Sequence, residues 1–107
     1  MPDRFNSSRC AIYLKALSDP LRLRIVEYLG RGTKTVSDVA DHLDVELANA
    51  SHHLRVMLHA KLVRSRRDGR HVRYFVNPAL LRAKIGGGDM LEFGCCRIEF
   101  GRPVPRQ

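Results

Sequence analysis

Long apolar runs are missing from this 107-residue chain: no uncharged stretch approaches the ~20 residues of a membrane span. The opening "MPDRFNSSRC" lacks the apolar segment of a secretory signal. Both absences point to a cytoplasmic protein with no membrane partner. Cysteine is scarce and odd in number, present only at Cys10, Cys95 and Cys96. Without an export signal, an odd count argues against a disulfide framework and for free thiols or a soft-ligand site. The chain also has no C-x-x-C and no paired carboxylates placed for acid–base work. "IGGGDM" lacks the Lys-Ser/Thr of a phosphate-cradling loop. An enzyme is therefore not expected.

Acidic residues vanish between Leu47 and Arg67. The formal net charge is +8, and it is unevenly spread: from Arg55 to Arg73, seven Lys or Arg stand against the single Asp68. A basic face this dense commonly meets polyphosphate. The length supports one domain with a small core.

The chain begins with four helical patterns. Cys10, Leu14 and Leu17 recur at helical spacing behind a cap at Ser7 or Ser8. "SDPLRLRIVEYLGRG" offers Asp19 as N-cap, Pro20 at the first helical position and Gly30 or Gly32 as a stop. "TVSDVADHL" carries a capping box at Thr35 and Asp38. After the tight break "DV", "ELANASHHLRVMLHAKL" resumes the helical period and turns Leu47, Ala50, Leu54, Met57 and Leu58 inward. The period then drops to two. "LVRSRR" and "HVRYFV" flank Asp68–Gly69, a hairpin turn signal, with Val72, Tyr74 and Val76 on one face. "ALLRAKI" suggests a turn or two of helix before Gly86–Gly88, and "GRPVPRQ" a loose tail.

Short helix, tight turn, longer helix and basic hairpin are the order of a winged helix-turn-helix. The expected fold is mainly α with a small β-hairpin, divided into a DNA-binding part over 1–78 and a C-terminal segment over 79–107. "ALSDPLRLRIVEYL", "SHHLRVMLHAKLV" and "DGRHVRYFVNP" resemble the ArsR-type (arsenic-repressor-like) transcriptional regulators. The resemblance covers roughly Ala11 to Pro78. It implies a dimeric repressor on a palindromic DNA operator, released when a metal ion, metalloid or thiol-reactive signal arrives, with no cofactor needed for DNA binding. It also implies a two-fold seam built from the first and last helices.

In such a fold the N-terminal half of the second helix meets base edges. With Ala50 at the centre of the buried stripe, Ala48, His52, Arg55 and His59 fall opposite, and Asn49 and Ser51 at the borders. Asn49 can pair with adenine, Ser51 can donate or accept, and the Ala48 methyl can touch a thymine methyl. Arg55 sits a turn later, nearer phosphate. Relatives typically carry Gln or Ser where this chain has Leu47 and Ala48. His52 and His53 point ~100° apart and so suit DNA contact or packing rather than one shared ion. The hairpin adds Arg66, Arg67, Arg70, His71 and Arg73 for the DNA backbone or minor groove.

Two sensor sites common among relatives lack their ligands here. Thr35 and Ser37 replace a cysteine pair, and no His follows His71 for a C-terminal helix site. Cys10, Cys95 and Cys96 remain as soft donors. Three thiolates suit trivalent arsenic or antimony (arsenite or antimonite), while zinc or cadmium would want a fourth ligand. In a regular strand Cys95 and Cys96 would face opposite ways, but a kink at Gly94 brings both to one side. Three readings stand: a soft-metal or metalloid inducer site, a thiol redox sensor, and structural cysteines in a DNA-binding protein without an effector.

Overall fold

Three of the four helices open on a side chain that takes up their first free N–H groups. In the computed structural model, which describes residues 6–83 and 88–100, α1 (Ser7–Leu17) is capped by Asn6, whose side chain accepts from the Arg9 backbone N–H. The expected caps, Ser7 and Ser8, lie inside the first turn instead. Asn6 adopts a left-handed backbone at φ 48°, a conformation Asn tolerates better than most residues. α2 (Pro20–Leu29) is capped by Asp19, which accepts from the N–H groups of Leu21 and Arg22, with Pro20 at the first position as expected. In α3 (Val36–Leu43) the capping box is complete: Asp38 N–H donates to Thr35 Oγ1 at 3.1 Å, and Thr35 N–H to Asp38 Oδ2 at 2.9 Å. The Thr35 N–H holds the Asp38 carboxyl below its ordinary pKa. Asp44, left-handed at φ 55°, turns the chain into α4 (Leu47–His59). The N-cap residue of α4, Glu46, makes no side-chain capping bond.

The apolar faces meet in one core. Ile25, Val39, Ala50, Leu54 and Met57 are fully buried at its centre. Two expected members lie outside it. Leu14 is exposed and Tyr13 is buried in its place. Leu47 is exposed because the core ends at Ala50; the first turn of α4 overhangs it.

β1 (Lys34–Thr35), β2 (Val63–Asp68) and β3 (His71–Val76) form an antiparallel sheet in the order β1-β3-β2. Asp68 pairs with His71, so the two-residue turn is Gly69–Arg70 and not Asp68–Gly69. Gly69 alone takes positive φ, at 61°, which matches a turn wanting Gly only at its first position. Asn77 pins the end of this wing to the end of α4: its Nδ2 donates to the Lys61 carbonyl at 2.9 Å, and its N–H to Leu62.

The helix expected in "ALLRAKI" is overturned. Leu81–Ala83 is strand β4, which joins β5 (Asp89–Glu92) and β6 (Arg97–Phe100) in a second antiparallel sheet, order β4-β5-β6. Ladder pairing of Leu81 with Leu91 and Arg82 with Met90 outweighs local helix propensity. Leu80 and Leu91 belong to the same core as the helices. Residues 84–87 and the tail 101–107 lie outside the described residues. The fold is four helices with two small sheets, and no described helix is long and apolar enough to cross a membrane.

Candidate functional site

The outer face of α4 carries the residues expected to read DNA. Ala48, Asn49, His52, Arg55 and His59 are exposed, and Ser51 is half-buried at the border. The geometry follows from burial of Ala50, Leu54 and Met57, which fixes the helix's rotation. Glu46 makes no side-chain capping bond, so the first-turn N–H groups of α4 are not taken up by it.

His53, in contrast, is buried and held from inside. The Arg22 guanidinium contacts its Nδ1 at 3.1 Å and also donates to the Ala16 carbonyl, while lying 4.0 Å from Asp19. Arg22 thus links α1, α2 and α4, a role the sequence pattern did not signal. Burial lowers the His53 pKa; Asp19 pulls the other way, and Arg22 and His52 add to the lowering. Above the ordinary value of 6.5 the ring is neutral in both folded and unfolded chains. As pH falls below 6.5, the unfolded chain takes up a proton that the folded chain resists. Stability is therefore expected to decline from 6.5 down to the lowered folded value. Urea unfolding on either side of 6.5 should show this loss, and His53→Gln should diminish it. An identical loss in the variant would assign the effect to other groups.

The wing places its cations on two faces. Cross-strand pairing puts Arg64, Arg66, His71, Arg73 and Phe75 on one side and Arg67 with Val72 and Tyr74 on the other, while Arg70 sits in the turn. The Arg66 guanidinium lies 5.7 Å from the Phe75 ring centroid. Arg73 Nε donates to Asp68 Oδ2 at 2.8 Å, so much of its charge is already answered within the wing. No ion pair among the described residues engages Arg64, Arg67 or Arg70, which leaves their charge available to a polyanion.

The three cysteines lie together where α1 meets the β5–β6 hairpin. Cys10 is buried on α1, and Cys95 and Cys96 stand at the tip of the β5–β6 hairpin. Their sulfurs all lie within 4.8 Å of one another, with Cys95 Sγ 3.7 Å from Cys96 Sγ. Gly94, at φ 88°, opens the two-residue turn closed by the bond from Phe93 N–H to the Cys96 carbonyl at 2.9 Å. That turn removes the strand alternation that would have separated the sulfurs. The hairpin tip is seated on α1 by Phe93, which stacks on Tyr13 with centroids 4.7 Å apart and planes 16° from parallel. Arg9 covers the other ring contact: it lies 4.6 Å from the Tyr13 centroid, donates to the Tyr13 hydroxyl, and reaches the Ala60 carbonyl at 3.4 Å.

The Cys10 and Cys95 sulfurs are brought into contact, with Cα atoms 6.4 Å apart, a separation that a disulfide can span, and Cys96 is exposed. The three residues read as soft donors in the sequence are thus brought together, as three thiols or as one pair and one thiol. Reduced, the trio is a compact soft-donor set. A soft ion bound at about 2.3 Å from each sulfur keeps any two sulfurs within about 4.6 Å of each other; the Cys95 and Cys96 sulfurs, 3.7 Å apart, meet that limit, while those of Cys10 and Cys95, in contact here, would have to part to share an ion.

The family description "Helix-turn-helix domain" matches residues 17–66. Among curated relatives, the transcriptional repressor SdpR of Bacillus subtilis is 34% identical over 71 residues, covering 66% of this chain and 79% of that protein. A probable mercury resistance operon repressor of Streptomyces lividans is 33% identical over 92 residues, covering 80% and 74%. Among solved structures, an ArsR-like transcriptional regulator from Rhodococcus sp. RHA1 matches with a TM-score of 0.63 and 33% identity, over 68% of this chain and 69% of that one. The homodimeric winged helix-turn-helix DNA-binding domain Mb0332 from Mycobacterium bovis matches with a TM-score of 0.66 and 28% identity, covering 74% and 75%.

Proposed function

The chain belongs to the ArsR-type family of winged helix-turn-helix transcriptional regulators, and from that premise we propose that it is a cytoplasmic repressor whose DNA affinity is set by its three cysteines. Its DNA-binding surface is the exposed face of α4 with the wing arginines. The protein works as a two-fold dimer on a palindromic operator, since a single winged helix reads too few bases and paired half-sites lie one DNA turn apart. Ile12 and Leu14 leave apolar surface exposed on α1 for a second copy to cover, and the Mycobacterium bovis neighbour is homodimeric.

Convergence of the Cys10, Cys95 and Cys96 sulfurs is the observation that carries the sensing half of the reading. In the reduced protein they bind a soft metal ion or a trivalent metalloid such as arsenite or antimonite, which takes three thiolates and needs no fourth ligand. The mercury repressor among the relatives supports a thiophilic inducer. Contact between the Cys10 and Cys95 sulfurs supports a second reading, in which a peroxide accepts two electrons and the two thiols release two protons as an S–S bond forms. Operator release measured on reduced protein separates them. Release by stoichiometric arsenite, antimonite or mercuric ion supports the first, and release by peroxide alone supports the second. Failure of every agent to release DNA would remove the sensor and leave a constitutive DNA-binding protein.

The wing gives a separate expectation. Arg70→Ala should weaken binding to all duplexes alike and flatten the log–log salt slope by about 0.9, one phosphate contact's worth. Arg73→Ala should do less, because Asp68 already neutralises that cation. Asn49→Ala or His52→Ala should relax base preference and leave the slope unchanged. Equal salt slopes in wild type and Arg70→Ala would show that the wing tip does not touch DNA.

A further inference from the structure

We infer that Leu47 is a specificity-determining residue whose side chain packs against the 5-methyl group of a thymine in the half-site that α4 reads. The inference rests on the DNA-binding reading above and adds the chemical feature that this surface selects. Leu47 is 55% exposed, more than any other large apolar side chain described. It lies in the first turn of α4, beyond the last core residue Ala50, so the fold leaves more than half of it uncovered. Helix-turn-helix proteins bring this first turn to the base edges.

The surroundings favour nucleic acid as the occupant. No acidic residue occurs from Leu47 to Arg67, Glu46 makes no side-chain capping bond, and the exposed neighbours are Ala48, Asn49, His52 and Arg55. A second protein copy has its apolar counterpart elsewhere, on Ile12 and Leu14 of α1. Within the major groove only thymine offers an apolar group, its 5-methyl. Leu47 and the Ala48 methyl therefore form a short apolar surface next to the Asn49 amide, which pairs with adenine. The half-site this turn reads is a thymine-bearing A·T step. Hydrogen-bond readout is thinner at its first position, and shape contact with a methyl group replaces it.

The full chain can select its preferred duplex from a random pool, after which each thymine is replaced singly by deoxyuridine. This removes one methyl and leaves every hydrogen-bonding group in place. At one thymine per half-site, wild-type affinity should fall about fourfold, the value of one buried methyl-sized group. Leu47→Ala should bind the thymine and uracil duplexes equally, while Leu47→Met should retain the discrimination. The uracil series on wild type needs no variant, and thermal melting checks that Leu47→Ala is folded. If wild type selects a sequence yet ignores methyl removal at every thymine, the Leu47 inference is overturned and the DNA-binding reading stands. If Leu47→Ala changes sedimentation but not uracil sensitivity, Leu47 is a protein contact and the inference also falls. If no sequence is selected and binding lacks salt dependence, both readings fail together.

Discussion

Replacing Cys95 and Cys96 together by serine is expected to leave operator affinity unchanged and to abolish release by arsenite or antimonite. Cys95, half-buried, and Cys96, exposed, lie at the tip of the β5–β6 hairpin and belong neither to α4 nor to the wing, the proposed DNA-binding surface. What the double variant removes is two of the three donors that converge with Cys10. In the wild type, ligation would alter how the tip, already seated on α1, is tied to Cys10 and so favour a form that fits DNA poorly. An allosteric coupling of ~1–3 kcal/mol corresponds to a ~5- to 150-fold loss of affinity on adding inducer. Titrating operator with and without the metalloid, on reduced protein, measures that ratio directly. A variant that still dissociates on addition would take the sensor away from these cysteines. The single variant Cys96→Ser separates chemistries further: it keeps the pair whose sulfurs lie in contact and so should respond to peroxide while losing the metalloid response.

The second large effect concerns stability. Leu91 is 2% exposed, in the middle strand of the C-terminal sheet, and sits in one core with Ile25, Leu54 and Met57. Leu91→Ala should cost about 2–5 kcal/mol, the usual range for opening such a cavity. Against a total stability of roughly 5–15 kcal/mol, that is a large share. Because the core is continuous, helix signal and C-terminal sheet should be lost in one shared transition. A change below ~1 kcal/mol, or melting in two steps, would show that β4–β6 fold independently of the helices.

Much of the DNA-binding half was legible because its signals are local. The Asp19–Pro20 start, the Thr35–Asp38 box and the rotation of α4 about Ala50 each depend on residues within one or two turns. Failures came where distant partners decide. The wing turn slipped by one residue because Asp68–Gly69 and Gly69–Arg70 both contain the needed Gly, and only ladder pairing chooses between them. β4–β6 are each three or four residues long, too short to show a period, and their pairing spans the glycine run. The cysteines themselves stood out by elimination. The Tyr13–Phe93 stack that seats them did not, since aromatics at such separation carry no pattern. Nor could counting sulfurs reveal which two would lie in contact.

Arg9 ties α1, the helix that bears Cys10, to the C-terminal end of α4. Its guanidinium spans from the Tyr13 hydroxyl to the Ala60 carbonyl, just past the C-terminal end of α4. The 13 residues of α4 make a rod about 20 Å long. A pivot of ~5° at the Ala60 end would swing the opposite tip, where Leu47, Ala48 and Asn49 stand, by about 1.7 Å over that length. Productive contacts need placement within about 0.5 Å. On the DNA-binding reading proposed above, a change of grip would then need no large rearrangement: a displacement too small to disturb the core at one end of the lever would be amplified beyond tolerance at the other.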